Sequence, residues 1–126
     1  MDKNKKKELK LAYKELVKPM GVYQIKNMLN GKLFVESTDD LNARFNRFKF
    51  QLQMGVHGNK DLQNDWNKGG ENNFAFEILE TLEPADDKPQ NYKGELEILE
   101  ELWLERLQPY GEKGYNKKVG GRKENV

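Results

Sequence analysis

Residues 21–37 have the sequence GVYQIKNMLNGKLFVES, and this stretch predicts a β-hairpin. Its two halves, residues 22–27 and 32–37, are short runs rich in β-branched and aromatic residues, which favour strands. Between them, Asn30 and Gly31 are residue types that adopt the positive φ angles of a tight turn. We therefore expect two antiparallel strands joined by an Asn-Gly turn.

The period of two along a strand determines which side chains of this hairpin share a face. Tyr23 and Ile25 lie on one side of the first strand, and Phe34 and Glu36 lie on one side of the second. We therefore expect a phenol, a phenyl ring and a carboxylate at neighbouring positions of one small sheet.

The rest of the chain predicts helices and one further strand around this hairpin. Polar capping residues at 37–40 precede a helix at 41–54, which Gly55 ends. The other predicted elements are an amphipathic accessory helix at 3–17, a short helix at 60–68, a strand at 74–82, a polar loop at 83–91 and a helix at 92–107. The expected fold class is α/β, of the α+β kind, with a small three-stranded antiparallel or mixed sheet flanked by helices.

The composition limits the chain to one modest domain. It has 126 residues, of which 36% are hydrophobic and 34% are charged, so a good part of it must be solvated helix face or tail. Because there is no cysteine, disulfide and thiolate sites are excluded. No apolar run approaches the roughly 20 residues that span a bilayer, and no apolar signal region follows the basic start. We therefore expect a cytoplasmic protein without a membrane partner.

The net charge of +1 conceals an uneven distribution of charge along the chain. Residues 1–18 carry seven lysines and three acids, and residues 111–126 carry five basic residues and two acids. Acids concentrate in residues 71–105. Basic segments of this kind could attract a polyanion such as nucleic acid, or they could serve solubility alone.

Several motifs occur along the chain at the spacing of one known family. The hairpin carries Gly-Val-Tyr at 21–23 and Phe-Val-Glu at 34–36, and the spacing continues through Arg44, His57, Leu62-Gln63, Trp66, the strand at 74–80, Glu100, Trp103 and Gly114-Tyr115-Asn116. This pattern resembles the GIY-YIG endonuclease domain, in which a Gly-Ile-Tyr strand pairs with a Tyr-Ile-Gly strand. The resemblance covers residues 20–117, which leaves a basic accessory segment at 1–19 and a basic tail at 118–126 that we expect to be disordered.

The resemblance implies a role for each matched residue. Tyr23 matches the tyrosine that acts with the metal in activating water, and Arg44 matches the arginine that stabilises negative charge on the phosphate. Glu100, three residues before the helix tryptophan, matches the single metal-binding glutamate, so one Mg²⁺ or Mn²⁺ ion is implied. His57 and Asn116 match positions that we expect to contact substrate.

Each of these residues also has a structural interpretation from the sequence alone. Tyr23 could be an ordinary strand tyrosine, and Arg44 could pair on the helix surface with an acid such as Asp40. Glu100 lies beside an apolar stripe and therefore needs a partner, which could be a metal ion, an arginine or a set of backbone donors. His57 could stabilise its loop, and Asn116 could be a turn residue after Gly114.

Three positions depart from the family pattern. Phe34 lacks the hydroxyl of the second tyrosine, and Phe48 stands where many members have a histidine or tyrosine. Glu36 replaces a glycine, and its carboxylate should repel a phosphate unless it helps to hold a cation. These changes predict reduced activity.

Two main functions follow from this pattern. The first is a metal-dependent nuclease that hydrolyses phosphodiester bonds, with DNA as the expected substrate and a separate protein partner as one way to target it. The alternative is a catalytically degenerate module that binds nucleic acid or protein, which Phe34, Glu36 and Phe48 favour. A weaker third interpretation makes the terminal helices a protein-interaction surface.

Overall fold

Two antiparallel ladders around one central strand organise the structure, a computed structural model that describes residues 18–84 and 91–118. Within these residues the order of elements is β1 (Gly21–Asn27), β2 (Leu33–Thr38), α1 (Leu41–Met54), α2 (Lys60–Gly69), β3 (Phe74–Thr81) and α3 (Lys93–Leu107). Single 3₁₀ turns at Glu71–Asn73 and Gly111–Lys113 follow α2 and α3. The predicted helix at 3–17, most of the predicted loop at 83–91 and the predicted disorder beyond residue 118 lie outside the described residues.

The sheet has the strand order β2-β1-β3, with β1 antiparallel to both neighbours. Tyr23 lies opposite Glu36 on one side and Ile78 on the other. The β1–β3 register then shifts, so that Val22 lies opposite Glu80 and Leu79 forms a bulge. The predicted fold class and hairpin are confirmed, and each predicted helix and strand in the described region begins and ends within one residue of its expected bounds. The bulge was not predicted.

The connection between β1 and β2 differs from the expected Asn-Gly turn. It is a longer loop of residues 28–32, which is closed by hydrogen bonds from Gly31 N to Asn27 O (2.7 Å) and from Asn27 N to Lys32 O (2.9 Å). Gly31 has a φ of 77°, but Asn30 does not have a positive φ. Asn30 acts through its side chain instead, whose Oδ1 accepts a hydrogen bond from Lys32 N (2.9 Å). The prediction of a positive φ at Asn30 was therefore wrong.

Helices cover both faces of the sheet. On the face of Tyr23 and Ile25, α1 and α2 complete the main apolar core, whose buried members are Tyr23, Ile25, Leu41, Phe48, Leu52, Leu62, Trp66, Phe74 and Tyr115. By alternation, Val22 and Val35 point to the other side, where α3 packs against β1 and β2. The two faces are therefore buried by different parts of the chain.

Polar side chains begin α1 and α2, and glycines end them. Asp40 accepts a hydrogen bond from Ala43 N at the start of α1, and Asn59 accepts one from Leu62 N at the start of α2. Gly55 ends α1 with a φ of 74°, a conformation that glycine adopts without strain. The local sequence thus specifies where the helix that carries Arg44 begins and ends.

The outer surface of α3 carries Ile98 and Leu102, which are more than half exposed, among several glutamates. Across residues 18–84 and 91–118, every helix is too short or too polar to cross a lipid bilayer.

Two glycines allow close backbone approaches that hold the domain together. Gly21 has a φ of 158°, and a methyl group there would overlap the carbonyl oxygen of Glu80 in β3. A methyl group at Gly114 would overlap the carbonyl oxygens of Pro109 and Leu33. Both positions therefore require glycine for reasons of packing.

We expect Gly21→Ala to lower the free energy of unfolding by about 2–3 kcal/mol, because β3 must move away from β1 to admit the methyl group. Gly58→Ala is the matched control, since no atom beyond its adjacent residues lies within 4 Å of the added methyl group. It should change the stability by about 0.5 kcal/mol or less. Urea unfolding followed by circular dichroism measures both, and equal stabilities for the two variants would contradict this account.

Candidate active site

One carboxylate oxygen of Glu36 joins three elements of the fold. Its Oε1 accepts a hydrogen bond from the hydroxyl of Tyr23 in β1 and another from Nη1 of Arg44 in α1, both of 2.6 Å. Each bond is short, as expected where an ionised group takes part. The side chains of Glu36 and Arg44 are about one-third exposed, at 34% and 35%, whereas Tyr23 is 0% exposed. The cluster is therefore a surface ion pair above a buried tyrosine.

Tyr23 is held on the core side of this cluster by aromatic rings. The rings of Phe45 and Phe48 meet its ring edge to face, at centroid distances of 5.3 and 6.3 Å. Burial, followed by the negative charge of Glu36, raises the pKa of Tyr23 well above its ordinary value. Tyr23 is therefore a neutral hydrogen-bond donor, and in this arrangement its proton is committed to Glu36.

Arg44 reaches from α1 toward the sheet, where its Nη1 donates to Glu36 of β2. Pairing with Asp40 is wrong, because Asp40 caps α1 and contacts Lys18 Nζ at 3.3 Å, while Arg44 pairs with Glu36. Within residues 18–84 and 91–118, the guanidinium of Arg44 pairs with Glu36 and also interacts with the hydroxyl of Tyr23. Its five N–H donors exceed these two contacts, so donors remain for an anionic ligand.

Glu100 approaches β2 from α3 and binds the residue next to Glu36. Its Oε1 accepts hydrogen bonds from the backbone N–H (2.7 Å) and the hydroxyl (3.0 Å) of Ser37. Of the partners considered from sequence, backbone donors are thus present, and the ion pairs found among the described residues do not include Glu100. No described residue donates a hydrogen bond to its second oxygen, Oε2.

The surroundings of Glu100 suit a magnesium-type ion better than a metal that requires several protein ligands. In the described part of the chain, no cluster of three or more histidine, aspartate or glutamate side chains could hold a metal. Mg²⁺ keeps several waters and is often bound through one or two carboxylates. An oriented carboxylate with one unengaged oxygen, such as Glu100, is compatible with that chemistry.

Asn116 lies against the outer edge of β2. Its Oδ1 accepts a hydrogen bond from Val35 N (2.8 Å) and its Nδ2 donates one to Val35 O (2.7 Å). Next to it, Tyr115 N donates to Leu33 O (2.8 Å). Asn116 therefore does more than form a turn, because it continues the sheet through its side chain. Substrate contact by Asn116 stays a prediction.

Comparisons with known proteins agree with this architecture. The chain is 44% identical over 62 residues, 49% of its length, to Intron-associated endonuclease 1 of Enterobacteria phage T4. That match spans only 25% of the phage protein. The structure of the catalytic domain of homing endonuclease I-TevI is 35% identical, with a TM-score of 0.63, and the alignment covers 77% of this chain and 96% of that one. A mutant form of the same catalytic domain matches equally well, with 78% and 92% covered.

The chain belongs to the GIY-YIG nuclease superfamily. No protein-family model matches it, which is consistent with the departures at Phe34, Glu36 and Phe48 from the GIY-YIG pattern.

Phe34 and Phe48 give this GIY-YIG site an apolar wall. Their ring centroids lie 5.3 Å apart, Phe48 is buried, and Phe34 packs against the core. Neither side chain can donate or accept a proton. Of the three departures from the family pattern, Glu36 is therefore the one that introduces an ionisable group.

His57 packs on this wall, with its ring centroid 4.1 Å from that of Phe48. Its ring Nδ1 accepts a hydrogen bond from the backbone N–H of Asn59 (2.9 Å), and the backbone N–H of His57 donates to Gln63 Oε1 (3.0 Å). Burial lowers the pKa of His57 below its ordinary value of 6.5. These contacts favour the structural interpretation of His57, and substrate contact through its other ring nitrogen stays a prediction.

Ser37 is the site residue that the sequence analysis missed. Its position predicts a capping role before α1, but Asp40 provides the cap and Ser37 instead binds Glu100. The two residues are 63 positions apart, and a serine after a strand has no local pattern that indicates such a contact.

We expect the imidazole of His57 to titrate below pH 6.5, because burial disfavours its charged form. The folded state then binds this proton less tightly than the unfolded state does. The corresponding contribution to stability is present above pH 6.5 and is lost as the pH falls through the lowered pKa. Proton NMR of the single histidine measures the midpoint. Phe48→Leu, which lets water reach the ring, should move it back toward 6.5, and a wild-type midpoint at or above 6.5 would contradict the account.

Proposed function

We propose that this protein is a metal-dependent nuclease that hydrolyses phosphodiester bonds, with DNA as its substrate. The observation that carries the proposal is the convergence of Tyr23, Arg44 and Glu100 on two adjacent residues of β2, Glu36 and Ser37. Membership of the GIY-YIG superfamily supports it, as do the matches, whose names include the word endonuclease.

Arg44 is proposed to bind the scissile phosphate and to stabilise the charge that develops on it. A guanidinium presents five donors in a planar fork that matches phosphate oxygens, and it stays charged at any working pH. Nη1 holds Glu36 and the guanidinium also interacts with the hydroxyl of Tyr23, which leaves further donors for a phosphate. Such a preorganised cation acts most strongly on charge that appears only in the transition state.

Glu100 is proposed to hold one Mg²⁺ or Mn²⁺ ion through Oε2. The two hydrogen bonds from Ser37 to Oε1 orient the carboxylate, as partners of metal ligands commonly do. A bound ion would neutralise phosphate charge and lower the pKa of a coordinated water.

Activation of water is assigned to the pair formed by Tyr23 and Glu36, whose hydroxyl donates to the carboxylate in a bond of 2.6 Å. His57 and Asn116 are proposed to contribute to substrate binding. For Asn116 this is indirect in the present geometry, because both polar atoms of its side chain bind Val35. It would act by supporting the strand that carries the site.

We propose that the activity is lower than in a member with titratable groups at positions 34 and 48. The loss of one general acid or base costs about 10²- to 10⁴-fold in rate, and phenylalanine occupies both positions here. A protein partner for targeting is also part of the proposal.

A specific observation favours the alternative of a degenerate binding module. The carboxylate of Glu36 already occupies Nη1 of Arg44 and the hydroxyl of Tyr23, which are groups that would otherwise meet the substrate. Both functions predict DNA binding that weakens steeply with salt, because phosphate contacts release counterions. Cleavage therefore distinguishes the two.

We expect Glu100→Ala to abolish cleavage of a supercoiled plasmid in Mg²⁺ or Mn²⁺, because the variant has no carboxylate to hold the ion. Glu101→Ala is the matched control, since this exposed neighbour on α3 should leave the cleavage rate unchanged. Removal of metal with EDTA should have the same effect on the wild type as Glu100→Ala. Gel analysis of plasmid nicking provides the rates, and circular dichroism checks that both variants fold.

Cleavage by Glu100→Ala at the wild-type rate would exclude Glu100 as the metal ligand. Salt-sensitive DNA binding by a wild type that never cleaves in either metal would instead establish the binding module.

A further inference from the structure

Within the cluster around Glu36, solvent reaches the carboxylate but not the phenol. Tyr23 is 0% exposed, and its hydroxyl lies beneath the carboxylate that it donates to. The side chain of Glu36 is 34% exposed, and among the described residues nothing donates a hydrogen bond to its Oε2. The side chain of Glu36 is therefore open to solvent and its Oε2 has no described donor, whereas Tyr23 is covered.

We infer, on the basis of the proposed nuclease function, that Glu36 is the catalytic base of this site. Tyr23 and Arg44 hold its carboxylate in position through Oε1. Glu36 thus replaces the proton-accepting role that the family resemblance assigns to Tyr23.

The proposed step is a hydrolysis in which Oε2 of Glu36 takes one proton from water. The water oxygen forms a new bond to phosphorus with the electron pair released from that O–H bond. The bond from phosphorus to the leaving sugar oxygen breaks, and its electron pair stays on that oxygen, which takes a proton from a second water. Glu36 later returns its proton to solvent, so the protein is unchanged after each turnover.

The other candidate bases near this cluster are less suited to the step. Burial keeps Tyr23 neutral and its proton is donated to Glu36. His57 uses Nδ1 to accept a hydrogen bond from Asn59 and packs against Phe48. Phe34 and Phe48 have no titratable group.

Arg44 also offsets the repulsion expected between the carboxylate of Glu36 and a phosphate. Its guanidinium lies 2.6 Å from Glu36 Oε1, so the pair carries no net charge toward an approaching phosphodiester. The donors of Arg44 that do not bind Glu36 can then contact the phosphate beside the attacking water.

The test is single-turnover cleavage of a DNA duplex in Mn²⁺ together with DNA affinity measured in Ca²⁺. Glu36→Gln keeps an acceptor oxygen for Tyr23 and Arg44 but removes the base, so the cleavage rate should fall by about 100-fold or more while DNA affinity is unchanged or higher. Glu77→Gln, an exposed glutamate on β3, is the control and should cleave at the wild-type rate. Tyr23→Phe keeps the buried ring and should lower the rate far less than Glu36→Gln.

Chemical rescue distinguishes a base from a structural residue. In Glu36→Ala, added sodium formate should restore part of the cleavage rate, because it supplies a carboxylate in the space that the side chain leaves. Matched sodium chloride should not, and a residue that only supports the fold would show no such recovery.

The outcomes separate this inference from the proposed function. If the wild type cleaves DNA and Glu36→Gln cleaves it equally fast or faster, the role of Glu36 as base is overturned and the nuclease function stands. A loss in Tyr23→Phe equal to that in Glu36→Gln would return proton transfer to the phenol, and failure of formate rescue would also count against the base. If neither the wild type nor any Glu36 variant cleaves DNA, the proposed function itself fails.

Discussion

The outer edge of β2 is the constraint on which this site depends. An edge strand presents backbone N–H and C=O groups that need partners. Here other parts of the chain satisfy the outward backbone groups of alternate residues. Near the start of β2, Tyr115 N donates to Leu33 O, and Asn116 binds both backbone groups of Val35. Further along the strand, Glu100 accepts from Ser37 N. Residues that satisfy a strand edge are thereby brought into a row along it.

This arrangement also brings the site residues together. Glu36 lies between Val35 and Ser37, two residues whose edge groups are satisfied. Its side chain points to the face of Tyr23 and α1, where Arg44 meets it, whereas Glu100 reaches the neighbouring residue from α3. One short segment of strand therefore collects a guanidinium, a phenol and two carboxylates from four elements. The contact that satisfies the strand edge at Ser37 also orients the proposed metal ligand, one residue along the strand from the proposed base.

The elements of the fold were predictable because their signals are local. Apolar spacing and Asp40 and Gly55 specified α1, and the period of two placed Tyr23 beside Glu36. Features that depend on contacts distant in sequence were not predictable. The Glu100–Ser37 and Asn116–Val35 bonds join residues 63 and 81 positions apart, and no short-range periodicity reflects them. The bulge at Leu79 likewise results from the pairing of β3 with β1. Even so, the sequence required a partner for Glu100, and one of the partners considered, a backbone donor, is present.

We propose that Glu100 holds a divalent ion beside Ser37 of β2. Paramagnetic Mn²⁺ provides the test, because Mn²⁺ broadens the NMR signals of nearby amides with a steep dependence on distance. The account predicts that substoichiometric Mn²⁺ selectively broadens the amides of residues 36–38 and of α3 around Glu100, and that Glu100→Ala removes this selectivity. Broadening confined to the exposed acids elsewhere on α3, or identical patterns in the wild type and the variant, would contradict it.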